Sequence, residues 1–409
     1  RACKPGYDTP MRIRATLLAV IVVSAIFAGL LLWVLRPKTV VAPREFATTS
    51  TVVFEDAQDY PDKPASLQAT HLRVIRPDTS EAADFTVGQA ARSRPVVLTR
   101  HHLYYFDSAQ GAIVDATRAN PQPLEGTQVD DPRFGGYLAV AASPDDQVYE
   151  RLAYGLTERS GAEFTLRLLV LTRRGETVDS RIVWEQTSKE AQVVVPLAWA
   201  SDGETIFFGT RLAEEVQHPR FGSLLQLRVP ADGETPADNT VVLADIKASS
   251  VAFPGEAAEL VGLSRDSNLA LFVEADPAQA TDAADTTPRE SRLLLLNLAS
   301  GRTQTVPVAP GGLVGSVAFG EQNAVVTVAE GGAEHLELLQ FGLDQSTRFA
   351  VEGTATQVCG VQGSNAIIGV LDHSSARGTW RITLNGGAGA AAPKKLSQFA
   401  CVTSGSVGS

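Results

Sequence analysis

An all-β fold, a closed ring of small antiparallel sheets, is what this 409-residue sequence predicts, and three observations carry it. From residue 47 to the end, short apolar segments rich in Val, Leu, Phe and Thr alternate with Gly, Asp and Pro, the composition of strands and tight turns. Beyond residue 45 no apolar period of 3.6 is sustained over about 11 residues, so a helical body is not expected there. The segments also recur as two alternating units, the pattern of stacked repeats.

The first unit is a strand, a turn of small residues or Asp/Gly, and a second strand. It recurs at 86–100, 138–155, 197–210, 250–264, 316–329 and 357–371. The second unit is an apolar strand that closes on a polar Gly turn, at 102–111, 166–175, 224–233, 293–301, 336–344 and 379–387. One extra second unit, 71–79, precedes the first copy, and 397–405 opens like a first unit without a strand after it. A seventh blade split between the two chain ends accounts for both. Residues 47–54 then lie beside the carboxyl-terminal strand and 71–76 outside them, which removes the open edge of the ring. The expected fold class is a β-propeller of seven blades, with six or eight as alternatives, closed by pairing of the N- and C-terminal strands. A single repeat has too small an apolar face to fold alone, and stacking the blades buries those faces continuously.

Residues Ala198-Trp199-Ala200-Ser201-Asp202-Gly203-Glu204-Thr205-Ile206-Phe207-Phe208 resemble the signature of TolB-like and WD-repeat-like β-propellers, in which a Trp-Ser-Pro-Asp-Gly turn joins the innermost strand to the next. Val140-Ala141-Ala142-Ser143-Pro144-Asp145-Asp146 is a second, partial match. The resemblance implies that Ser201, Asp202 and Gly203, and likewise Ser143, Pro144 and Asp145, make the repeat turn between an inner strand and the strand packed behind it. It extends over residues 47–409 but is sharp in these two copies only, and it implies a fold rather than an activity.

The amino end reads differently. Residues 15–35 carry no charge over 21 positions, enough for a helix to cross a hydrocarbon layer of about 30 Å. One uncleaved transmembrane helix is therefore expected at 15–35, behind a short cytoplasmic stub at 1–14. Ser24 and Ala28, and Ala25 and Gly29, have the small-residue spacing that lets another helix approach closely. A linker at 36–46, stiffened by Pro37 and Pro43, would hold the propeller at 47–409 within about 35 Å of the bilayer on the extracytoplasmic side. The first 38 residues hold six Lys/Arg and one Asp, so the remaining 371 carry 29 basic and 45 acidic groups, a net charge of −16. A body that acidic repels phosphate backbones, and nucleic acid is not an expected partner.

Catalytic signatures do not emerge. The chain has no Gly-x-Ser-x-Gly elbow, Walker loop, His-Glu-x-x-His or Cys-x-x-Cys. His101 and His102 are adjacent in a strand or turn and point to opposite faces, while His71, His102 and His335 each precede Leu at the start of a second-unit strand, which reads as a solvent-facing polar cap. The acidic stretch 274–290 lacks the Gly and Glu of a calcium loop and, like 211–222, reads as an insertion between strands. No catalytic residue, cofactor or metal site is assigned. Cys359 and Cys401, 42 residues apart, fall at equivalent places on inner strands of the last full blade and the split blade. Two readings stay open: a disulfide that pins the carboxyl-terminal strand into the ring, or two buried thiols too far apart to bond. The expected function is a non-catalytic, membrane-anchored interaction or assembly subunit of a larger membrane or envelope complex, touching the lipid bilayer through its one helix. A hydrolase or lactonase with a divalent metal in the central channel, or a ligand-binding sensor, are the alternatives.

Overall fold

The structure is a computed structural model describing residues 45–404, apart from 48, 56–69, 77–80, 91–93, 119–120, 141–149, 175–176, 214–220, 222, 230–247, 256–257, 265–267, 277–288, 309–311, 322, 341–345, 352–355, 372–374 and 385–391. Strands β1 (Thr51–Glu55), β2 (Thr70–Ile75) and β3 (Glu81–Val87) open the chain. Blade 2 has β4 (Val97–Leu98), β5 (Leu103–Asp107) and β6 (Ala112–Asp115); blade 3 has β7 (Tyr137–Val140), β8 (Glu150–Ser160), β9 (Glu163–Arg174) and β10 (Thr177–Ser188). Blade 4 has β11 (Gln192–Trp199), β12 (Thr205–Leu212), β13 (Leu225–Arg228) and β14 (Ser249–Ser250); blade 5 has β15 (Ala258–Leu263), β16 (Leu269–Asp276), β17 (Arg289–Asn297) and β18 (Thr303–Pro307). Blade 6 has β19 (Leu313–Phe319), β20 (Asn323–Glu330), β21 (Ala333–Gln340) and β22 (Ser346–Ala350); blade 7 has β23 (Thr356–Gln362), β24 (Asn365–Val370), β25 (Gly378–Thr383) and β26 (Lys394–Ser397). The last strand, β27 (Cys401–Ser404), pairs antiparallel with β1, so the split blade, blade 1, reads β27-β1-β2-β3.

The first strand of each sheet order lies against its counterpart in the next blade, from β27 through β4, β7, β11, β15, β19 and β23 back to β27. The ring is closed, and seven is the blade count. Among the described residues seven hydrophobic clusters fill it, six bridging two neighbouring blades and one reaching from blade 3 through blade 4 to blade 5. Alternation along a strand explains this. On β16, Leu269, Leu271 and Val273 pack toward blade 6, while Ala270 and Phe272 pack toward blade 4. A strand buried on both faces needs no polar side, which is why Leu293, Leu294, Leu295 and Leu296 form an unbroken apolar run in β17. Each such side chain contributes about 1.5–3 kcal/mol on leaving water.

Three expectations change. The fold class is all-β: among the described residues the only helical element is a 3-10 turn at Pro132–Phe134, and no helix is long and apolar enough to cross a membrane. The transmembrane helix expected at 15–35, with Ser24, Ala25, Ala28 and Gly29, lies outside the described residues, as do the stub at 1–14 and linker residues 36–44. A charge-free apolar run meets the length a spanning helix needs, but length and apolarity are not themselves a helix, and the described residues hold no such helix. Two repeat units are also displaced. In 250–264 the inner strand is β15 at its end, with Ser250 closing blade 4 in β14; in 86–100 the inner strand is β4, with Thr86 and Val87 ending β3 of blade 1.

Candidate interaction face on blades 2 to 4

The repeat turn is a clasp between blades. Gly203 takes φ +66°, a region open to glycine, and the Asp202 carboxylate accepts the backbone N–H groups of Glu204 (2.8 Å) and Thr205 (2.9 Å) and the Thr205 hydroxyl (2.8 Å). Partial burial would raise the pKa of Asp202; the Thr205 and Glu204 hydrogen bonds overcome this and hold it below the ordinary carboxylate value. From blade 3, Arg151 lies over the Trp199 ring at 5.1 Å and donates to the Gly203 carbonyl at 2.8 Å, while the Trp199 indole N–H donates to the Ala139 carbonyl at 3.3 Å. Ser201 is an exposed turn residue. Ser143, Pro144 and Asp145 lie outside the described residues.

At the seam, Cys359 of β23 and Cys401 of β27 are joined by a disulfide, their Cα atoms 6.2 Å apart. The Gln357 side-chain amide donates to the Cys401 carbonyl, and that of Gln362 to the Thr49 carbonyl at 2.8 Å, so both chain ends are tied to blade 7.

Between blades 2 and 3 the structure assembles a buried polar network from residues far apart in sequence. Arg173 of β9 donates to Asp115 (2.5 Å) and to the Tyr104 hydroxyl (3.0 Å), which donates to Glu150 (2.6 Å); the Thr99 hydroxyl donates to the other Glu150 oxygen (2.6 Å). His102 Nδ1 lies 3.1 Å from Asp115 Oδ2, and Thr117 donates its hydroxyl and backbone N–H to Asp115 Oδ1. Burial would raise the pKa of Asp115, but the His102 hydrogen bond and charge, with the Arg173 guanidinium, hold it well below the usual range. Burial, reinforced by the Glu150 carboxylate, pushes Tyr104 well above its ordinary value. Arg173 and Glu150 of blade 3 reach Asp115, Tyr104 and Thr99 of blade 2, so the network fastens one blade to the next. Two further histidines meet carboxylates: His71 meets Asp84 at 2.9 Å, and His335 is buried against Glu337 at 3.1 Å rather than capping a strand in solvent. Among the described residues, no group of three His, Cys, Asp or Glu could hold a metal ion.

One face departs from this economy. Strands β8, β9 and β10 are 11, 12 and 12 residues long, whereas no other described strand exceeds nine. Tyr137, the first residue of β7, pairs with Gly155, so 156–160 of β8 run about 16 Å beyond it at about 3.3 Å per residue. Burial stops two residues further on, at Thr157: the first eight residues of β8 are buried and Glu158, Arg159 and Ser160 are exposed, as are Glu185, Gln186 and Thr187 of β10. Arg167 bridges Glu158 and Glu185 across the three strands, at 2.6 Å to each, which keeps the arm flat. Phe164, one pair from the hairpin end, packs back on Phe134, with ring centroids 5.5 Å apart.

Beside Phe134, three blades supply one cluster. Arg94, just ahead of β4, donates to the carbonyls of Gly135 (2.8 Å), Pro132 (3.2 Å) and Arg133 (3.2 Å), and its guanidinium lies 4.4 Å from the Tyr137 ring centre. Arg211 of β12 lies 5.2 Å from the same ring and donates to the Tyr137 hydroxyl at 2.8 Å. Burial lowers the pKa of Arg94, and the neighbouring Arg211 charge adds to it against the favourable Tyr137 oxygen. The sequence reading missed Arg94, Tyr137 and Arg211. A signal was present, because Arg211 continues the period-2 face of Phe207 and Gly209, where an ion is out of place.

The sequence matches no protein-family model and no curated protein. The structure is similar to solved propellers. A prolyl endopeptidase studied for inter-domain dynamics in catalysis and specificity aligns with a TM-score of 0.51 at 9% identity, over 86% of this chain and 50% of that one. A puromycin-hydrolyzing peptidase of Mycobacterium tuberculosis gives 0.47 at 13% identity, over 88% and 54% of the two chains. A putative TolB of Agrobacterium tumefaciens gives 0.39 at 9% identity, over 74% and 88%. The chain spans about half the length of the peptidases it matches. At such identities the shared property is the all-β propeller fold.

Proposed function

We propose that the ring is a non-catalytic interaction subunit of a larger protein complex, working outside the cytosol and docking its partner through the blade 3 arm. The carrying observation is that three strands of one blade outrun the ring. Closure of the core asks for strands only as long as the core is tall; Phe164 packs on it, and the exposed residues 158–163 and 185–187 are surplus to it. Their mixed charges, Glu158, Arg159, Glu163 and Glu185, suit a polar protein surface rather than a lipid face. The seam disulfide supports an oxidising compartment.

The test is native purification in mild conditions, with mass spectrometry of what travels with the chain. Replacing 158–165 by Asn-Gly closes the β8–β9 hairpin at the Thr157–Leu166 pair and removes the arm. The shortened protein is expected to keep one cooperative unfolding transition and to lose the partner. A lone monomer from the intact chain, or the same partner on the shortened one, would count against the reading. Metal-dependent turnover in a substrate panel would replace it with an enzyme.

A further inference from the structure

Arg211 is 7% exposed, and only one of its nitrogens is in use. Nη2 donates to Tyr137, but the buried Nε and Nη1 have no hydrogen-bond partner, and among the described residues no carboxylate lies within 4.0 Å of the guanidinium. Three N–H donors of a buried cation are therefore unspent. The second guanidinium on the same ring, Arg94, worsens the position, since like charges share one desolvated site. An ordinary interior would replace such a group by an apolar side chain of similar volume. Buried Arg173 holds Asp115 and Tyr104, while buried Arg151, which also keeps two nitrogens unsatisfied, donates to the Gly203 carbonyl and lies over Trp199.

We propose that Arg211, oriented by Tyr137 and backed by Arg94, anchors a binding site for a carboxylate group on the ring face where the inner strands of blades 3 and 4 begin. The placement follows from pairing. Tyr137 is the first residue of β7, and Arg211 sits opposite Val193, the second residue of β11. The class of ligand follows from charge and donors. Arg94 is committed to three backbone carbonyls, so one guanidinium has N–H groups to offer, which matches a singly charged acceptor better than a phosphate dianion. The net charge of −16 beyond residue 38 repels a ligand in proportion to its negative charge, which weighs most against polyanions and least against a monoanion. The carboxylate comes either from a free small acid or from a peptide chain end, and the site does not depend on the arm binding a protein.

The test measures thermal unfolding of the full chain at constant ionic strength, titrated with acetate, inorganic phosphate, and Ala-Ala-Ala as free acid and as amide. Acetate and the free-acid tripeptide are expected to raise the midpoint saturably, and phosphate and the amide are not. A tripeptide more than roughly tenfold tighter than acetate identifies a chain end as the source; equal affinity identifies a free acid. Arg211→Met should weaken carboxylate binding at least roughly tenfold while leaving the ligand-free midpoint equal or higher. Should that variant not fold, Arg211→Lys and Tyr137→Phe are each expected to fold and bind more weakly. No saturable carboxylate response, an undiminished response in these variants, or a phosphate response as strong as that of acetate would overturn the proposal.

Discussion

Asp115 has no exposed surface, yet stays ionised because His102, Thr117 and Arg173 surround it with donors. Removing its charge takes the Asp115 carboxylate from the buried Arg173 guanidinium between blades 2 and 3. Asp115→Asn is expected to cost about 3–5 kcal/mol at neutral pH. The pH dependence has a definite sign. A carboxyl whose folded pKa is depressed contributes stability that is fully present above its unfolded pKa of about 3.9 and is lost as pH falls below it. Urea unfolding should therefore show the gap between wild type and Asp115→Asn narrowing from pH 7 to pH 3; a constant gap would mean the ionised form is not what matters. This network was not legible in the sequence. Glu150 and Arg173 are cross-strand partners in blade 3, and only blade stacking brings them to Asp115 and Tyr104 of blade 2. His102, read as a solvent-facing cap, is half-buried and meets Asp115 on the neighbouring strand of its own blade.

At the scale of elements, local signals succeeded where the turn is self-contained. Asp202 and Gly203 fold a turn from their own hydrogen bonds and backbone freedom, so four residues suffice to reveal it. Asp202→Ala removes three acceptor contacts from a mostly exposed turn and is expected to cost about 1 kcal/mol. Arg151→Ala at the same clasp provides a comparison, since the two effects should not add if the turn and the arginine act as one unit; additive losses would separate them. Local signals failed where identity depends on the partner. Ser-Val-Ala-Phe occurs at 250–253 and again at 316–319, and only the second copy lies on an inner strand, β19. In the first copy Ser250 pairs with Leu225 at the outer edge of blade 4, and Phe253 turns onto Phe272, with ring centroids 4.8 Å apart. The blade 3 arm escaped notice likewise, because its residues alternate as ring strands do and the number that lie beyond the core is fixed by the height of its neighbours.

Ring closure was legible because a count of units left one over at each end of the chain, and an unmatched edge has few stable fates. The seam itself is short. β27 has four residues, and its register with β1 shifts between Val52 and Val53, so its ladder is weak for a strand that must hold two chain ends together. Other contacts compensate: Phe54 donates to the Ala400 carbonyl at 3.0 Å, the Thr379 hydroxyl to Phe399 at 2.6 Å, and the disulfide crosses from β23. A crosslink spanning 42 residues restricts the unfolded chain by about 4 kcal/mol on the chain-entropy account. Cys401→Ser is expected to lose about that much, Cys359→Ser the same, and the double variant no more than either, because all three remove one bond. Reductant should bring the wild type to the level of the variants and leave the variants unmoved. A wild type that unfolds at the same denaturant concentration with and without reductant would show that blade packing closes the ring unaided.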